Sequence, residues 1–232
     1  MTAGVASPVA VRGDTRRAAR WLAALVLPIG PAAVAVLRFV LPYTAVDDPA
    51  AMTRSVVAHP EVESLVLWLG LAAVLALVPG VLWVGRLTRR RAPVLTAVAL
   101  LLLVPGYVAL AVMLSADELL WTGAAAGVDP ATLTRMAETG HPTVDVAAGL
   151  FVLGHVVGTV LLGVAMWRSA TVPRWAAVAT MVSQPLHFVA AVILVSPALD
   201  LAAWGLNLVG FAAASLAILR LSDGEWDLPP AS

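Results

Sequence analysis

Six apolar stretches, each about as long as a membrane span, set the strongest constraint on how this chain can fold. A transmembrane helix needs about 20 mostly apolar residues. The stretches that meet this requirement are residues 21–41, 65–87, 93–114, 146–167, 175–196 and 199–221. The sequence therefore predicts an all-α membrane protein with six transmembrane helices.

The composition agrees with a membrane protein and excludes several kinds of site. Hydrophobic residues make up 61% of the chain and charged residues only 12%, whereas a soluble domain has about 25% charged residues. The chain contains no cysteine, which excludes disulfides, thiol nucleophiles and thiolate metal ligands. Its net charge is zero, and we expect the lipid bilayer, but no nucleic acid, as a partner.

The basic residues, all of them arginine, are distributed unevenly between the loops, and this predicts the orientation of the chain. The two long loops on one side of the membrane, residues 42–64 and 115–145, contain only Arg54 and Arg135, and Arg38 lies near the same side in span one. Because cytoplasmic loops are enriched in arginine and lysine, we place both termini in the bacterial cytoplasm. The opposite, cytoplasmic side carries the other eleven arginines: Arg12, Arg16, Arg17, Arg20, Arg86, Arg89, Arg90, Arg91, Arg168, Arg174 and Arg220.

This orientation gives a simple domain organisation in the cytoplasmic membrane. A basic N-terminal tail, residues 1–20, precedes the transmembrane domain of residues 21–221. An acidic tail, residues 222–232, follows it. The two long loops, residues 42–64 and 115–145, then face outward.

The two outward loops carry a similar motif, which indicates an internal repeat. DPAAMTRSVVAHP begins at Asp48 and DPATLTRMAETGHP begins at Asp129, 81 residues later. The match continues inward, since Pro105 and Pro185 both lie inside the span that ends each copy. Spans two and three and spans four and five are therefore predicted to be two copies of one unit, flanked by spans one and six.

The repeated motif predicts a short surface helix before spans two and four. Aspartate accepts backbone N–H bonds at a helix N-cap, and the proline after it needs no donor in the first turn. Each copy then presents an arginine, Arg54 or Arg135, and a histidine, His59 or His141. We call these four residues the outer rim. Paired arginines can bind an anion, although such residues are more often solvated or in contact with lipid headgroups.

Two histidines lie deep in neighbouring predicted spans. His155 is ten residues inward from Asp145, and His187 is ten residues before Pro197, so both lie ~15 Å from the same outer end. A hydrocarbon core is about 30 Å thick, which places both rings near its midplane. Because a short turn joins their helices, the two rings should share one site.

Further polar side chains are predicted at the same depth. Tyr107 occupies, in the first repeat, the position of His187 in the second. Gln184 and Thr159 each lie one helical turn from one of the histidines, and Asn207 lies eight residues into span six. Together with the two histidines, these residues form the predicted polar layer.

Three interpretations of the polar layer follow from the sequence. It can be a hydrogen-bonded cluster that fastens the helices together. It can line a pocket, open to the outer side, for a small molecule or a lipid. It can also bind a metal, or haem b with His155 and His187 as axial ligands and Gly154 and Gly158 making room for the porphyrin. A tetrahedral zinc site would need more ligands than two histidines.

The sequence lacks the motifs of several enzyme and transporter classes. It contains no GxxxxGK nucleotide loop, no HExxH and no GxSxG. No carboxylate lies in the interior of a predicted span, which disfavours a proton-driven transporter. We therefore predict a protein that binds a small molecule or a lipid, or an accessory subunit. The alternatives are a haem- or metal-dependent oxidoreductase that uses His155 and His187, and a membrane-embedded enzyme that acts on a lipid-like substrate.

One segment carries a family resemblance. In FVLGHVVGTVLLGVAMWRSATVPRW, residues 151–175, a span with a central Gly-His pair runs into a basic turn with proline. Together with the six spans and the outer loops before spans two and four, it resembles the uncharacterised bacterial DUF4386-type integral membrane proteins. The resemblance covers most of residues 15–221. It implies a fold and carries no activity, cofactor or partner with it.

Overall fold

The computed structural model describes residues 14–43 and 48–227, and these residues form helices without a β-strand. Six helical segments are long and apolar enough to cross a membrane, which confirms the predicted all-α, six-span fold. In chain order the helices are α1 (Arg16–Val26), α2 (Ile29–Val40), α3 (Pro49–Ala58), α4 (Pro60–Thr88), α5 (Pro93–Ala125), α6 (Pro130–Glu138), α7 (Thr143–Ser169), α8 (Arg174–Phe188), α9 (Pro197–Arg220) and α10 (Asp223–Trp226). α1 and α2 together make the first span.

The six spans form a closed ring that follows the order of the chain. α2 packs beside α4, α4 beside α5, α5 beside α7, α7 beside α8, α8 beside α9, and α9 returns to α2. Large side chains such as Leu77, Leu103 and Phe211 are fully buried inside. Leu75 and Leu101, on the outside of the ring, are 67% and 73% exposed. Outward leucines on spanning helices are suited to contact with lipid.

Both predicted surface helices are present and begin where the repeated motif predicts. α3 and α6 follow directly after Asp48 and Asp129, whose carboxylates accept backbone N–H bonds from the first helical turn. The two helices contact each other, and Val56 and Leu133 pack together in a small apolar core. We call this end of the bundle the α3/α6 end. The opposite end, which contains the turn 89–91, we call the arginine end.

Two helix boundaries differ from the prediction for local chemical reasons. α4 begins at Pro60, because a proline ends the helix before it and suits the first turn of the helix that follows. α5 continues to Ala125, well beyond the predicted end at residue 114, because no proline occurs in that segment. It stops before Gly127, whose φ of +74° is a left-handed conformation that favours glycine.

The predicted tails are partly structured and belong to the bundle. Residues from Arg16 onward are helical, and α10 folds back so that Trp226 is buried. Arg20 on α1 forms an ion pair with Asp223 at 3.0 Å, which ties the two ends of the transmembrane domain together. The rest of both predicted tails, residues 1–13 and 228–232, lies outside the described residues.

A close backbone contact joins α5 and α7, which belong to the two predicted copies of the repeat. A Cβ atom added to Gly154 on α7 would lie 2.6 Å from the carbonyl oxygen of Leu102 and 2.9 Å from the Cα atom of Gly106, both on α5. Only glycine permits this backbone approach, which is typical of small residues between spans. The contact lies next to Tyr107 and His155 in the chain and so holds the helices that carry the polar layer.

Candidate functional site

The two deep histidines lie side by side, as the depth argument predicts. α7 and α8 are joined by a short turn and pack against each other. The ring centroids of His155 and His187 are 5.3 Å apart, with the ring planes tilted by 56°. Both side chains are buried. The predicted shared position is therefore confirmed, whereas its role in ligand binding stays a prediction.

His155 has one engaged nitrogen and one nitrogen without a partner. Its ring stacks on Phe151 at a centroid distance of 4.1 Å, and Nδ1 lies 2.5 Å from the Phe151 carbonyl oxygen. A carbonyl oxygen only accepts hydrogen bonds, so Nδ1 carries the proton and donates it. Nε2 of the neutral ring is then an acceptor, and this buried atom has no hydrogen-bond partner among the described residues.

His187 belongs to a chain of three polar side chains that connects three spans. Its Nδ1 donates to Oδ1 of Asp200 on α9 at 2.5 Å, and Nε of Arg38 on α2 donates to Oδ2 at 2.6 Å. The Asp200 side chain is only 2% exposed, and the arginine supplies the counter-charge that a buried carboxylate requires. The carboxylate also orients the imidazole and leaves its Nε2 as the acceptor nitrogen.

Sequence reasoning missed Asp200 and gave Arg38 no part in the site. Asp200 is the second residue of the predicted sixth span, where a carboxylate is usually solvated. In the structure it lies in the first turn of α9 and is buried. The available signal was its position 13 residues after His187, across a single short turn.

The structure also places carboxylates in the spanning helices, beyond the bounds of the predicted spans. α4 includes the buried Glu63 and α5 includes Asp117, because both helices extend beyond their apolar stretches. The Tyr43 hydroxyl donates to Asp117 at 2.5 Å. Burial, and then the charge of Asp117, raise the pKa of Tyr43 above its usual value. The sequence argument against a proton-driven transporter therefore does not hold.

The other members of the predicted polar layer are buried inside the ring as well. They are Tyr107, Thr159, Gln184 and Asn207. The Tyr107 hydroxyl faces the side chains of Thr159 and Asn207 but makes no hydrogen bond of ordinary geometry with them. Seven buried nitrogen and oxygen atoms of the layer, and Nε1 of the neighbouring Trp204, have no partner among the described residues. Buried polar groups are nearly always hydrogen-bonded, so the layer requires ordered water or a polar ligand group.

Trp204 packs against both histidines and was not predicted as part of the site. Its ring centroid lies 5.5 Å from that of His187, in an edge-on orientation, and 6.3 Å from that of His155, nearly parallel. The available signal was its place three residues before Asn207, which puts both side chains on one face of α9.

The backbone between His187 and Asp200 is irregular. Pro185 lies inside α8, and Val189–Ile193 continue the helix as a π-helical turn. Val195 has a φ of +49°, an uncommon conformation for a β-branched residue. Single π-helical turns and strained residues are concentrated at functional sites. This irregular segment therefore supports a functional interpretation of the neighbouring histidine and aspartate.

A cavity of about 330 Å³ extends from the α3/α6 end of the bundle to His187. Apolar side chains of α2, α5 and α7 line most of its wall. His187 and Trp204 form its inner end, and Arg38, Asp117 and Asp145 lie along the rest of it. Pockets for small molecules combine such an apolar wall with a few polar groups that fix orientation, and this volume lies in their usual range.

The histidine pair does not fit a haem site. Axial ligation places two imidazoles on opposite faces of a flat macrocycle. Here the ring centroids of His155 and His187 are only 5.3 Å apart, and Phe151 and Trp204 stack on the ring of His155. The helix contact at Gly154 brings α5 into the space that a porphyrin would need. Within residues 14–43 and 48–227, no group of three or more histidines and carboxylates could hold a metal ion.

The four outer-rim residues are exposed and are not joined to one another. Arg54 and Arg135 lie on α3 and α6, and His59 and His141 follow these helices. Their side chains form hydrogen bonds only within their own segments. In the described part of the chain, no hydrogen bond or ion pair links two of them. Their role in binding an anion stays a prediction.

The fold and the site together define a class of protein. It is an all-helical, six-span membrane protein whose spans surround an unsatisfied polar layer beside an apolar cavity. No protein-family model, curated protein or solved structure matches the chain. The resemblance to DUF4386-type proteins is therefore still a prediction.

Proposed function

We propose that this protein binds an amphipathic small molecule or a lipid in the cavity that ends at His187 and Trp204. The observation that carries the proposal is the apolar wall that ends at two polar side chains, His187 and Trp204, the second with an indole N–H that has no partner among the described residues. The apolar part of a ligand would fill the wall region, and its polar end would lie beside His187 and accept a hydrogen bond from the indole N–H of Trp204. The proposal applies equally to a protein that acts alone and to an accessory subunit.

We also propose that the protein lies in a bacterial cytoplasmic membrane with both termini in the cytoplasm. The arginine end contains the turn 89–91 together with Arg86, Arg168, Arg174 and Arg220, which supports this orientation. The cavity would then be reached from the outer side. Its ligand would come from the outer leaflet or from the space beyond it.

The test of ligand binding compares two bulky substitutions on the same helix. Ala148 lines the cavity, whereas Val152, one turn further along α7, is partly exposed on the outside of the bundle. We expect native mass spectrometry to find a bound small molecule in wild type and in Val152→Phe, and none in Ala148→Phe. Wild type without a bound molecule, or a molecule retained by all three proteins, would overturn the proposal.

A membrane-embedded enzyme that acts on a lipid-like substrate is the second candidate. The Asp200–His187 hydrogen bond favours it, because a carboxylate that holds Nδ1–H leaves Nε2 available as a general base. No hydroxyl side chain among the described residues is hydrogen-bonded to His187, so the base would act on water or on a hydroxyl of the substrate.

The variant His187→Gln distinguishes the two candidate functions, catalysis and binding. Glutamine keeps a polar side chain of similar reach and cannot serve as the base. Wild-type protein incubated with a total bacterial lipid extract should convert a lipid if it is an enzyme, and His187→Gln should not, although it still binds that lipid. Absence of any product with wild type would leave binding as the function. His141→Gln, on the exposed rim, is the matched control.

A further inference from the structure

A second cavity of about 330 Å³ lies at the arginine end, opposite the proposed ligand site. It lies where the turn 89–91 between α4 and α5, the turn between α7 and α8, the end of α9, and α10 meet. Four of the residues that line it are arginines, and among the described lining residues only Glu225 is acidic. Its charge is therefore strongly positive.

Two of the arginines have their contacts within the protein and shape the cavity. Arg86 donates to the Trp226 carbonyl oxygen at 2.7 Å and to the carboxylate of Asp227, and its guanidinium lies over the Trp226 ring. These contacts hold α10 in place as one wall. Arg91 donates from Nη1 to the Ser169 carbonyl oxygen at 2.9 Å. A guanidinium has five N–H donors, so Arg91 is positioned by this bond and keeps donors for a ligand.

The other two arginines present charge without a hydrogen bond or ion pair to the described residues. Arg89 and Arg90 are exposed, and their side chains make no hydrogen bond or ion pair within the described residues. Glu225 forms no hydrogen bond with either of them, because its carboxylate accepts hydrogen bonds from the backbone and side chain of Ser222, although Arg90 lies near enough to act on it electrostatically. Those bonds, followed by the charge of Arg90, lower the pKa of Glu225, which keeps it ionised.

The wall formed by α10 contributes one further donor. The indole ring of Trp226 lines the cavity and is 3% exposed, and its Nε1–H has no partner among the described residues. A buried N–H without an acceptor favours a ligand that brings one. A phosphate group offers several acceptor oxygens and the negative charge that guanidinium groups bind best.

We infer that this cavity binds a phosphate group, with Arg89, Arg90 and Arg91 as its charged ligands. The phosphate is either free in solution or part of an anionic lipid headgroup, since basic pockets between spans bind such headgroups. The site lies at the other end of the bundle from the proposed ligand cavity and does not depend on it.

The test uses the full-length protein in lipid nanodiscs and two double variants of equal charge. Arg89→Gln with Arg90→Gln removes the two unpaired arginines of the cavity. Arg17→Gln with Arg168→Gln removes two exposed arginines of the same end that do not line it. In the first arm, protein in phosphatidylcholine nanodiscs is titrated with inorganic phosphate by calorimetry. In the second arm, native mass spectrometry measures phosphatidylglycerol retained from mixed phosphatidylcholine and phosphatidylglycerol nanodiscs.

The two arms distinguish the source of the phosphate. Binding of inorganic phosphate that falls about tenfold or more in the cavity variant, and stays unchanged in the control, identifies a soluble ligand. Retention of phosphatidylglycerol that is lost only in the cavity variant, with no binding of inorganic phosphate, identifies a headgroup. If neither probe binds, or if both double variants lose binding equally, the inference is wrong. Equal melting temperatures of the two variants confirm that each is folded.

Discussion

Asp200 links His187 to Arg38 beside the proposed ligand cavity, because both side chains donate hydrogen bonds to its carboxylate. The arginine is one-fifth exposed and the carboxylate almost fully buried. A buried ion pair contributes little net stability when it forms. Removing one partner, however, leaves the other charge buried and uncompensated. The three residues should therefore behave as one unit in mutational experiments.

Asp200→Asn tests this unit. The substitution keeps the shape of the side chain and removes the charge that balances Arg38. We expect the free energy of unfolding in detergent to fall by about 3 kcal/mol. Asp145→Asn, an exposed carboxylate that also lines the cavity, is the control and should be nearly neutral. If both variants unfold at the wild-type temperature, the ion pair does not form in solution.

At the residue scale, the sequence predicted the position of the polar layer better than its contacts. The depth of His155 and His187 follows from the number of residues between each histidine and the end of its helix, which the sequence alone provides. The contact between His187 and Asp200 depends on the π-helical turn after α8, which no periodicity shows. Trp204 was missed because tryptophan in a span is usually an interfacial residue.

Among the elements, the pair α5 and α7 is held by its glycines. Gly154→Ala should lower the free energy of unfolding by about 1–3 kcal/mol, because the added Cβ would meet backbone atoms of Leu102 and Gly106 that cannot move alone. Thermal unfolding in detergent measures the effect.

Gly149→Ala, on the same helix, is the matched control. A Cβ at Gly149 meets nothing within 4 Å, and alanine favours the helical state by ~1 kcal/mol over glycine. We expect this variant to be at least as stable as wild type. A stable Gly154→Ala protein would show that the two helices are further apart than the structure places them.

Helix starts were more predictable than helix ends. α3 and α6 begin after Asp-Pro pairs, whose capping chemistry is local and can be read from the sequence. α5 ends eleven residues beyond its apolar stretch, because a helix can continue into polar residues once its axis is fixed by packing. α10 was not predicted, since its position depends on Arg86, which lies far away in the chain.

At the scale of the whole molecule, the ring of six spans leaves most of the arginines at one end and the surface helices at the other. The sequence predicted this arrangement because span number and arginine distribution are properties of the whole chain. The contact between α2 and α9, which closes the ring, could not be predicted. The spans have similar leucine and valine content, so the sequence does not indicate which spans pack against each other.

Reporter fusions test the proposed orientation. A reporter that is active only outside the cytoplasm should be inactive when fused after Arg90 and active when fused after Gly127. These residues lie in the turns at the two ends of α5. Activity at Arg90 with none at Gly127 would invert the orientation. Equal activity at both positions would contradict the span between them.

The bond between Arg38 and Asp200 also constrains the order in which the protein can be assembled. The two residues are 162 positions apart, on the first and the last span. After Arg38 has entered the membrane, the ribosome must synthesise the chain as far as the sixth span before Asp200, its partner, is present. During that interval the arginine has to reach toward the lipid headgroups or be shielded by another protein, since an unpaired cation is costly in hydrocarbon. The ligand site is therefore among the last parts of the protein to form, and nascent chains that stop before α9 leave Arg38 without the carboxylate that pairs with it.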